Sequence, residues 1–179
     1  MIEVKEVKSE KELKDFVKFP FKLYKNNKHW VPSLINDELK SFDPKQDIFK
    51  TVDVHYFLAY KNNEIVGRIA GIINWIEVNE LKKPKARFGW LEMIDDIEVT
   101  KALLNKVVEI GKNNNLNYIE GPMGFSNMDK AGMLTEGFEH TATMIGMYNL
   151  KYYPEHLYKL GYKPEAEWLE YQMELKKIG

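Results

Sequence analysis

Two stretches near the middle of the chain are rich in aromatic and β-branched residues, which favour strands. They are residues 55–60 (HYFLAY) and 64–74 (EIVGRIAGIIN), and the intervening Lys61-Asn62-Asn63 predicts a hairpin turn. Gly67 and Gly71 lie four residues apart and therefore on one face of the second strand. The missing side chains there would admit a packed helix or bulky neighbours.

Apolar residues at helical spacing predict four helices. The first begins at the capping box Ser9-Glu10-Lys11-Glu12, and Pro20 is expected to kink or end it. Pro32 suits the first position of the second helix, which Asp43-Pro44 closes. The third helix ends at Gly111, the fourth spans residues 154–161, and the apolar positions of the third are Ala102, Leu103, Val107 and Ile110.

Further strands are predicted beyond the hairpin. Residues 87–94 (RFGWLEMI) and Tyr118-Ile119 flank the third helix, an order that favours a parallel pair joined by a right-handed crossover. Near the end of the chain, apolar and polar positions alternate strictly, which predicts a strand with one buried face over residues 168–175. The order α, α, β, β, β, α, β, loop, α, β predicts an α/β or α+β domain around one mixed sheet.

The composition limits the classes of function. With 179 residues, 44% of them apolar, the chain is expected to form one domain. Lys and Arg total 26 against 27 for Asp and Glu, so no cationic field favours nucleic acid. The lack of cysteine excludes disulfides, thiolate-bound metals and a thiol nucleophile. The start does not resemble a leader and no apolar run nears the roughly 20 residues that span a bilayer, so we expect a soluble cytoplasmic protein without a membrane partner.

The order of elements and the segment Tyr158-Lys159-Leu160-Gly161-Tyr162 before the last predicted strand resemble the GNAT superfamily of N-acyltransferases. More narrowly, the chain resembles a group of largely uncharacterised bacterial GNAT-like proteins. In that group such a domain forms the N-terminal half of a longer chain, and a second acyltransferase-like domain follows it. The resemblance implies a single GNAT-like domain over residues 1–179, with a mixed central sheet flanked by helices and a companion GNAT-like domain as a partner. The segments that carry the narrower resemblance are FGWLEMIDD (88–96), GPMGF (121–125), LTEGF (134–138) and YYPEHL (152–157).

The resemblance also implies a cofactor, acetyl-CoA or another acyl-CoA. In the superfamily, backbone N–H groups of a glycine-containing loop after the fourth strand bind the pyrophosphate of acyl-CoA. The corresponding place here is Met93, Ile94, Asp95 and Asp96, followed by Ile97-Glu98, without glycine or a cation. A pyrophosphate would meet three carboxylates there, and each close like-charge contact costs on the order of 1 kcal/mol. The same acids also have capping-box form and suit the start of a helix.

Two residues are candidates for proton transfer. Glu92, within the third strand, could be a general base if burial raised its pKa, or could be paired with another side chain. The tyrosine that serves as general acid in many superfamily members corresponds to Leu157, and Tyr158 lies about 100° further around the helix. Tyr153 could take this role from the preceding turn, although a tyrosine on a short helix is more often a packing residue.

Residues 121–138 hold four of the eleven glycines, together with several apolar residues. The segment lacks the Gly-Lys-Ser/Thr sequence of a phosphate loop, so the glycines are expected to serve bending. Ser126, Asn127 and Asp129 offer hydrogen-bonding side chains and are the predicted substrate contacts. The four histidines show no metal-ligand spacing, and no metal site is predicted.

Two hypotheses about function remain open from the sequence. The first is an acyltransferase domain that moves an acyl group from acyl-CoA to a small-molecule amine by positioning the reactants and deprotonating the amine. The second is a catalytically inactive GNAT-like domain that binds a ligand or packs against a companion acyltransferase domain. The acidic residues at the expected pyrophosphate site and the displaced tyrosine favour the second hypothesis, and the family resemblance favours the first.

Overall fold

A five-stranded mixed sheet forms the centre of the computed structural model, which describes residues 1–141, 143, 146–171 and 173. The strands lie side by side in chain order, and the first four pair antiparallel. The fourth and fifth strands pair in parallel, as the sequence predicts. The strands are β1 (Ile2–Glu6), β2 (Val52–Lys61), β3 (Glu64–Asn74), β4 (Lys85–Met93) and β5 (Tyr118–Glu120).

Helices cover both faces of this sheet. One core cluster joins the sheet to α4 and α5, and the other joins it to α1 and the residues around α2. The predicted α/β architecture with flanking helices is therefore confirmed. The helices are α1 (Glu10–Leu23), α2 (Ile35–Ser41), α3 (Trp75–Asn79), α4 (Ile97–Asn113) and α5 (Tyr152–Lys159), and a short 3-10 helix spans Asp47–Lys50.

The N-terminal helix α1 starts at the predicted capping box. Ser9 accepts a hydrogen bond from the backbone of Glu12, and the Glu12 carboxylate accepts one from the backbone of Ser9. Pro20 does not end the helix, which continues to Leu23. The backbone carbonyl of Pro20 still accepts a hydrogen bond from the N–H of Tyr24, so the last turn is preserved.

The two glycines of β3 allow α4 to pack directly on the sheet. A Cβ atom on Gly67 would lie 2.8 Å from Cδ1 of Leu103, and one on Gly71 would lie 2.6 Å from Cδ1 of Ile110. Leu103 is fully buried and Ile110 is nearly so. The predicted close approach of a helix to this face of β3 is confirmed.

Three elements differ from the prediction. β1 and α3 were not predicted, and the strand predicted over residues 168–175 is wrong for the described residues 168–171 and 173, which have no regular secondary structure. Gln172, Glu174 and Leu175 lie outside the described residues. Alternation alone does not form a strand, because the backbone groups also need hydrogen bonds to a neighbouring strand. Within the described residues, β5 at the edge of the sheet pairs with β4 and with no further strand.

A bulge interrupts β4 shortly before its end. Arg68 lies opposite Glu92 and Ala70 lies opposite Gly89, so Trp90 and Leu91 together face the single residue Ile69. Trp90 has a φ of +48°, which is uncommon for a bulky residue. Bulges of this kind often adjoin active sites, where they redirect a side chain.

Candidate active site

The carboxylate of Glu92 lies at the centre of a small polar cluster at the end of β4. Its Oε2 atom accepts hydrogen bonds from the hydroxyls of Tyr24 and Tyr153, each at 2.6 Å. The two hydroxyl oxygens are 3.2 Å apart. No hydrogen bond involves Oε1 in the part of the chain that the structure describes, and Glu92 keeps some exposed surface. One oxygen of this carboxylate is therefore free to accept a proton.

Two tyrosines of α5 form hydrogen bonds with the backbone at the end of β4. The hydroxyl of Tyr153 accepts a hydrogen bond from the backbone N–H of Met93 at 3.2 Å, while that of Tyr152 donates to the Met93 carbonyl at 2.6 Å. The two rings lie 5.1 Å apart. The sequence-predicted pair Glu92 and Tyr153 is thus brought into direct contact, with Met93 beside it.

Burial raises the pKa of Glu92 above its ordinary value, because the charged form loses water. The nearby Arg68 guanidinium and the two tyrosine hydroxyls act in the opposite direction without reversing the shift. Burial and the Glu92 charge also raise the pKa values of Tyr24 and Tyr153. Both tyrosines therefore stay protonated near neutral pH and donate their hydrogen bonds to Glu92.

Arg68, on the neighbouring strand β3, carries a positive charge that acts on this carboxylate. It lies opposite Glu92 in the β3–β4 register and is 5% exposed. Its Nη1 atom donates to the Phe16 carbonyl at 2.9 Å and to Glu38 at 3.2 Å. The acid that pairs with Arg68 is thus Glu38 from α2. Glu64, four residues earlier on the same strand, pairs with Lys22 instead.

Sequence reasoning missed the contribution of Tyr24. Tyr24 follows the last residue of α1 at helical spacing from its apolar positions, which indicates a packing residue, and its ring does stack on Trp30 at 5.0 Å. The hydroxyl group is the only local signal for a polar role, since a phenylalanine would serve for packing alone. The contact with Glu92 depends on how α1 crosses the sheet, which spacing within the helix does not reveal.

The acidic side chains of the loop between β4 and α4 form hydrogen bonds and an ion pair within the protein. Asp96 caps α4 by accepting a hydrogen bond from the backbone of Glu98 at 3.0 Å, and it pairs with Lys61 at 2.8 Å. Asp95 accepts from His156 of α5 at 3.1 Å. The Lys61 contact and the cap lower the pKa of Asp96, so this carboxylate is charged at neutral pH.

These residues do not fit a pyrophosphate held in the manner of the superfamily. The backbone N–H groups of Val99 and Thr100 bond to the Asp96 carbonyl, and the Glu98 N–H bonds to the Asp96 side chain. An anion at this helix end would replace internal contacts and meet the negative charges of Asp95 and Asp96. The assignment of Met93, Ile94, Asp95 and Asp96 to a cofactor groove rests on position and stays a prediction.

Titration calorimetry with acetyl-CoA checks this electrostatic argument. We expect Asp96→Asn to strengthen acetyl-CoA binding about fivefold, because asparagine keeps the helix cap and removes roughly 1 kcal/mol of repulsion. Pantetheine, which lacks the phosphates, serves as the control ligand and should bind both proteins alike. Equal or weaker binding of acetyl-CoA by Asp96→Asn would contradict the argument.

The predicted substrate contacts lie elsewhere on the sheet. Asp129 accepts hydrogen bonds from the backbone and hydroxyl of Ser126, and Asn127 accepts one from Arg87 at 2.7 Å. Arg87 precedes Glu92 by five residues along β4, a separation of roughly 16 Å in an extended strand. The structure therefore does not bring Ser126, Asn127 and Asp129 together with Glu92, and their role in substrate binding stays a prediction.

Among the described residues, no group of three or more His, Asp or Glu side chains is arranged to hold a metal ion. In the same part of the chain, every helix is too short or too polar to cross a membrane.

Two curated proteins resemble the chain in sequence, although no family model matches it. Protein YghO of Escherichia coli K12 is 28% identical over 166 residues, which make up 91% of this chain and 42% of that protein. The bacterial ceramide synthase of Caulobacter vibrioides is 27% identical over 143 residues, or 79% of this chain and 37% of the relative. The chain thus spans less than half the length of these relatives.

Solved structures extend the comparison to the fold. An aminoglycoside acetyltransferase, meta-AAC0020 from an uncultured soil metagenomic sample, matches with a TM-score of 0.53 and 13% identity over 98% of this chain and 97% of that chain. A predicted acetyltransferase of Clostridium acetobutylicum, solved with acetyl-CoA, matches with a TM-score of 0.53 and 16% identity over 96% of both chains. A tandem GNAT protein from the clavulanic acid biosynthesis pathway matches with a TM-score of 0.54 and 11% identity over 69% of this chain and 37% of that chain. Together with the mixed sheet and its flanking helices, these matches show that the chain has the GNAT fold.

Proposed function

We propose that this domain transfers an acyl group to an amine and that Glu92 is its general base. The observation that carries the proposal is the Glu92 carboxylate itself, which is partly exposed, has a raised pKa and is held by two tyrosine hydroxyls through one oxygen. A base works best when its pKa lies near the working pH, so the shift favours this role. Tyr153 is a positioning residue in this scheme.

The chemistry asked of Glu92 is one proton transfer. A primary alkylamine is mostly an ammonium ion near neutral pH, as lysine is, and cannot attack a carbonyl carbon until it loses a proton. Oε1 of Glu92 takes that proton, and the nitrogen lone pair then forms the bond to the acyl carbon. The bond between this carbon and the thiolate of the donor breaks, and the thiolate departs with the electron pair. The second proton of the nitrogen passes to the thiolate, directly or through water, which leaves a neutral amide and a free thiol.

Tyr24 and Tyr153 hold the carboxylate in one orientation for this transfer. Because both hydroxyls donate to Oε2, the side chain cannot rotate without breaking two hydrogen bonds of 2.6 Å. Tyr153 is itself anchored by the Met93 N–H. Such fixed geometry contributes to rate by aligning the reacting groups in advance.

The comparisons support acyl transfer as the type of reaction, whereas the identity of the two substrates is part of our proposal. The Clostridium acetobutylicum protein was solved with acetyl-CoA, and meta-AAC0020 is an aminoglycoside acetyltransferase. A thioester donor of the acyl-CoA class and a small-molecule amine acceptor are the substrates we propose. Because of the acids at the β4–α4 loop, we infer that a donor whose pyrophosphate lies there binds weakly.

A thiol-release assay tests the proposed function. The chain has no cysteine, so a thiol reagent detects only the thiol released from the donor. Acetyl-CoA and a short acyl thioester without phosphates are each offered with a panel of primary amines, and thiol release together with amide formation is expected. Release no faster than in samples without the protein, for all donors and amines, would overturn the proposal.

A second candidate function has its own supporting observation. Asp96 caps the helix end that would receive the pyrophosphate, and its carboxylate also pairs with Lys61. These contacts suit a GNAT-like domain that does not bind acyl-CoA. The chain spans less than half of its curated relatives, and tandem GNAT proteins exist. In this alternative the domain is catalytically inactive and binds a ligand or packs against a companion acyltransferase domain.

A further inference from the structure

A surface groove beside the Glu92 cluster is lined mainly by apolar side chains. In the described part of the chain, the residues around it come from the segment before α5 and from the first turn of that helix. The two charged residues among them are exposed, and the others are half-buried. The lining residues are Phe138, Glu139, Tyr148, Leu150, Lys151 and Tyr152.

Two of these residues connect the groove to the proposed base. Tyr148 packs against the ring of Tyr24 with centroids 6.1 Å apart, and Tyr24 donates to Glu92. Tyr152 packs against Tyr153, which also donates to Glu92. The groove therefore passes beside both tyrosines that hold the carboxylate.

The walls of the groove are held in place by hydrogen bonds. The Tyr148 hydroxyl accepts from the Asn27 side chain at 3.0 Å and donates to the Phe138 carbonyl at 3.1 Å. The Tyr152 hydroxyl is bound to the Met93 carbonyl. With these hydroxyls engaged, the lining residues present mainly ring and aliphatic surface to a ligand.

We propose that this groove binds the aliphatic chain of an amine whose head group reaches Glu92. The inference rests on the proposed function and specifies its acceptor as an alkyl amine rather than a polar one. An apolar groove favours an aliphatic chain. The Glu92 carboxylate lies behind the rings of Tyr24 and Tyr153, which pack against Tyr148 and Tyr152 of the lining, and its charge favours a cationic head. The lining residues Glu139 and Lys151 are exposed and of opposite charge, so together they favour neither sign, whereas the Glu92 carboxylate opposes a fatty carboxylate.

Calorimetric titration of the full chain with ethylamine, hexylamine and octylamine, all below micelle-forming concentrations, tests the proposal without requiring activity. We expect the affinity to rise about two- to fourfold for each added methylene. Octanoate, matched to octylamine in chain length, is expected to bind at least tenfold more weakly. Affinity that does not change with chain length, or equal affinity for octanoate and octylamine, would overturn the proposal.

Variants locate the binding site. Phe138→Ala is expected to weaken octylamine binding about tenfold by removing a half-buried ring. Ile76→Ala removes a partly exposed apolar side chain of α3 outside the groove and serves as the matched control. Loss of octylamine affinity in Ile76→Ala equal to that in Phe138→Ala would show adsorption to apolar surface in general and reject the groove.

The outcomes separate this inference from the proposed function. If octylamine binds in the groove but no thiol is released in the transfer assay, the binding site stands and the acyltransferase proposal fails. If transfer occurs with ethylamine and octylamine at equal kcat/KM and the affinities are also equal, the acyltransferase proposal stands and the groove proposal fails.

Discussion

Replacing Glu92 with glutamine is expected to reduce the rate of acyl transfer about 10²- to 10⁴-fold, the usual contribution of a positioned general base. Glutamine has nearly the same shape, and its carbonyl oxygen still accepts hydrogen bonds from Tyr24 and Tyr153. The amide cannot take a proton from the amine. The thiol-release assay measures the loss, and amine binding measured in parallel shows whether the site is still formed.

The same substitution has a predictable effect on stability. The pKa of Glu92 is raised above its reference value of 4.5, so the folded protein holds this proton more tightly than the unfolded chain. The tighter proton binding stabilises the folded state fully below the pKa that Glu92 has in the unfolded chain. This stabilisation is lost as the pH rises through the pKa that Glu92 has in the folded protein. Glu92→Gln removes this titration, so the free energy of unfolding of the wild type, relative to the variant, should fall between pH 4 and neutral pH. Urea unfolding at both values measures the difference.

Glu64→Gln is the matched control for this prediction. Glu64 begins β3, its side chain is 73% exposed, and it pairs with the equally exposed Lys22. Its substitution should leave the transfer rate unchanged and should alter the free energy of unfolding by less than about 1 kcal/mol. If Glu92→Gln transfers acyl groups at the wild-type rate, Glu92 is not the base.

Replacing Arg87 with methionine is expected to lower the free energy of unfolding by about 3 to 5 kcal/mol, because a buried charge loses its partner. Arg87 is 1% exposed, and its guanidinium donates to Glu77 at 2.8 Å, to the Gly124 carbonyl at 3.0 Å and to Asn127 at 2.7 Å. Without it, Glu77 keeps only the longer contact with Lys85 at 3.4 Å among its described ion pairs. Urea unfolding at neutral pH measures the loss.

Lys50→Met provides the comparison on the surface. Lys50 and Asp47 form an ion pair at 2.6 Å with side chains that are 77% and 90% exposed, so its removal should cost less than about 1 kcal/mol. The Arg87 effect should also diminish in acid. Burial opposes the charge of Glu77, but the contacts with Arg87 and Lys85 outweigh it and lower the pKa, so the wild type loses this stabilisation as the pH falls. Similar losses for Arg87→Met and Lys50→Met would contradict the prediction.

Local patterns in the sequence predicted the hairpin and the crossover helix well. The hairpin strands are rich in β-branched and aromatic residues, and the turn uses Asn62 and Asn63, which both adopt positive φ. β1 was missed although Ile2 and Val4 alternate with charged residues, because five residues give little periodicity to recognise. α3 was missed because Trp75 to Asn79 continue the apolar run of β3. The one signal of a helix start was Asn74, whose side chain caps the backbone of Ile76 and Glu77.

The site was predictable only in part. Glu92 and Tyr153 were identified by position in motifs, and their contact is a property of the fold. Tyr24 is 68 residues from Glu92 in the chain, and only the crossing of α1 over the sheet joins them. Asn127 was expected to face a substrate because its side chain is polar. Its Oδ1 atom also accepts a hydrogen bond from the buried Arg87, and nothing in the loop sequence indicates that partner.

The internal cap of α4 makes the stability of this corner independent of any phosphate ligand. A helix end completed by a bound anion gains stability only in proportion to RT ln(1 + [L]/Kd) and loses it when the anion is scarce. Here Asp96 belongs to the chain and is present at every ligand concentration. Because Asp96 also reaches Lys61 of β2, and Asp95 reaches His156 of α5, the two acids join three elements of secondary structure in the absence of any bound molecule.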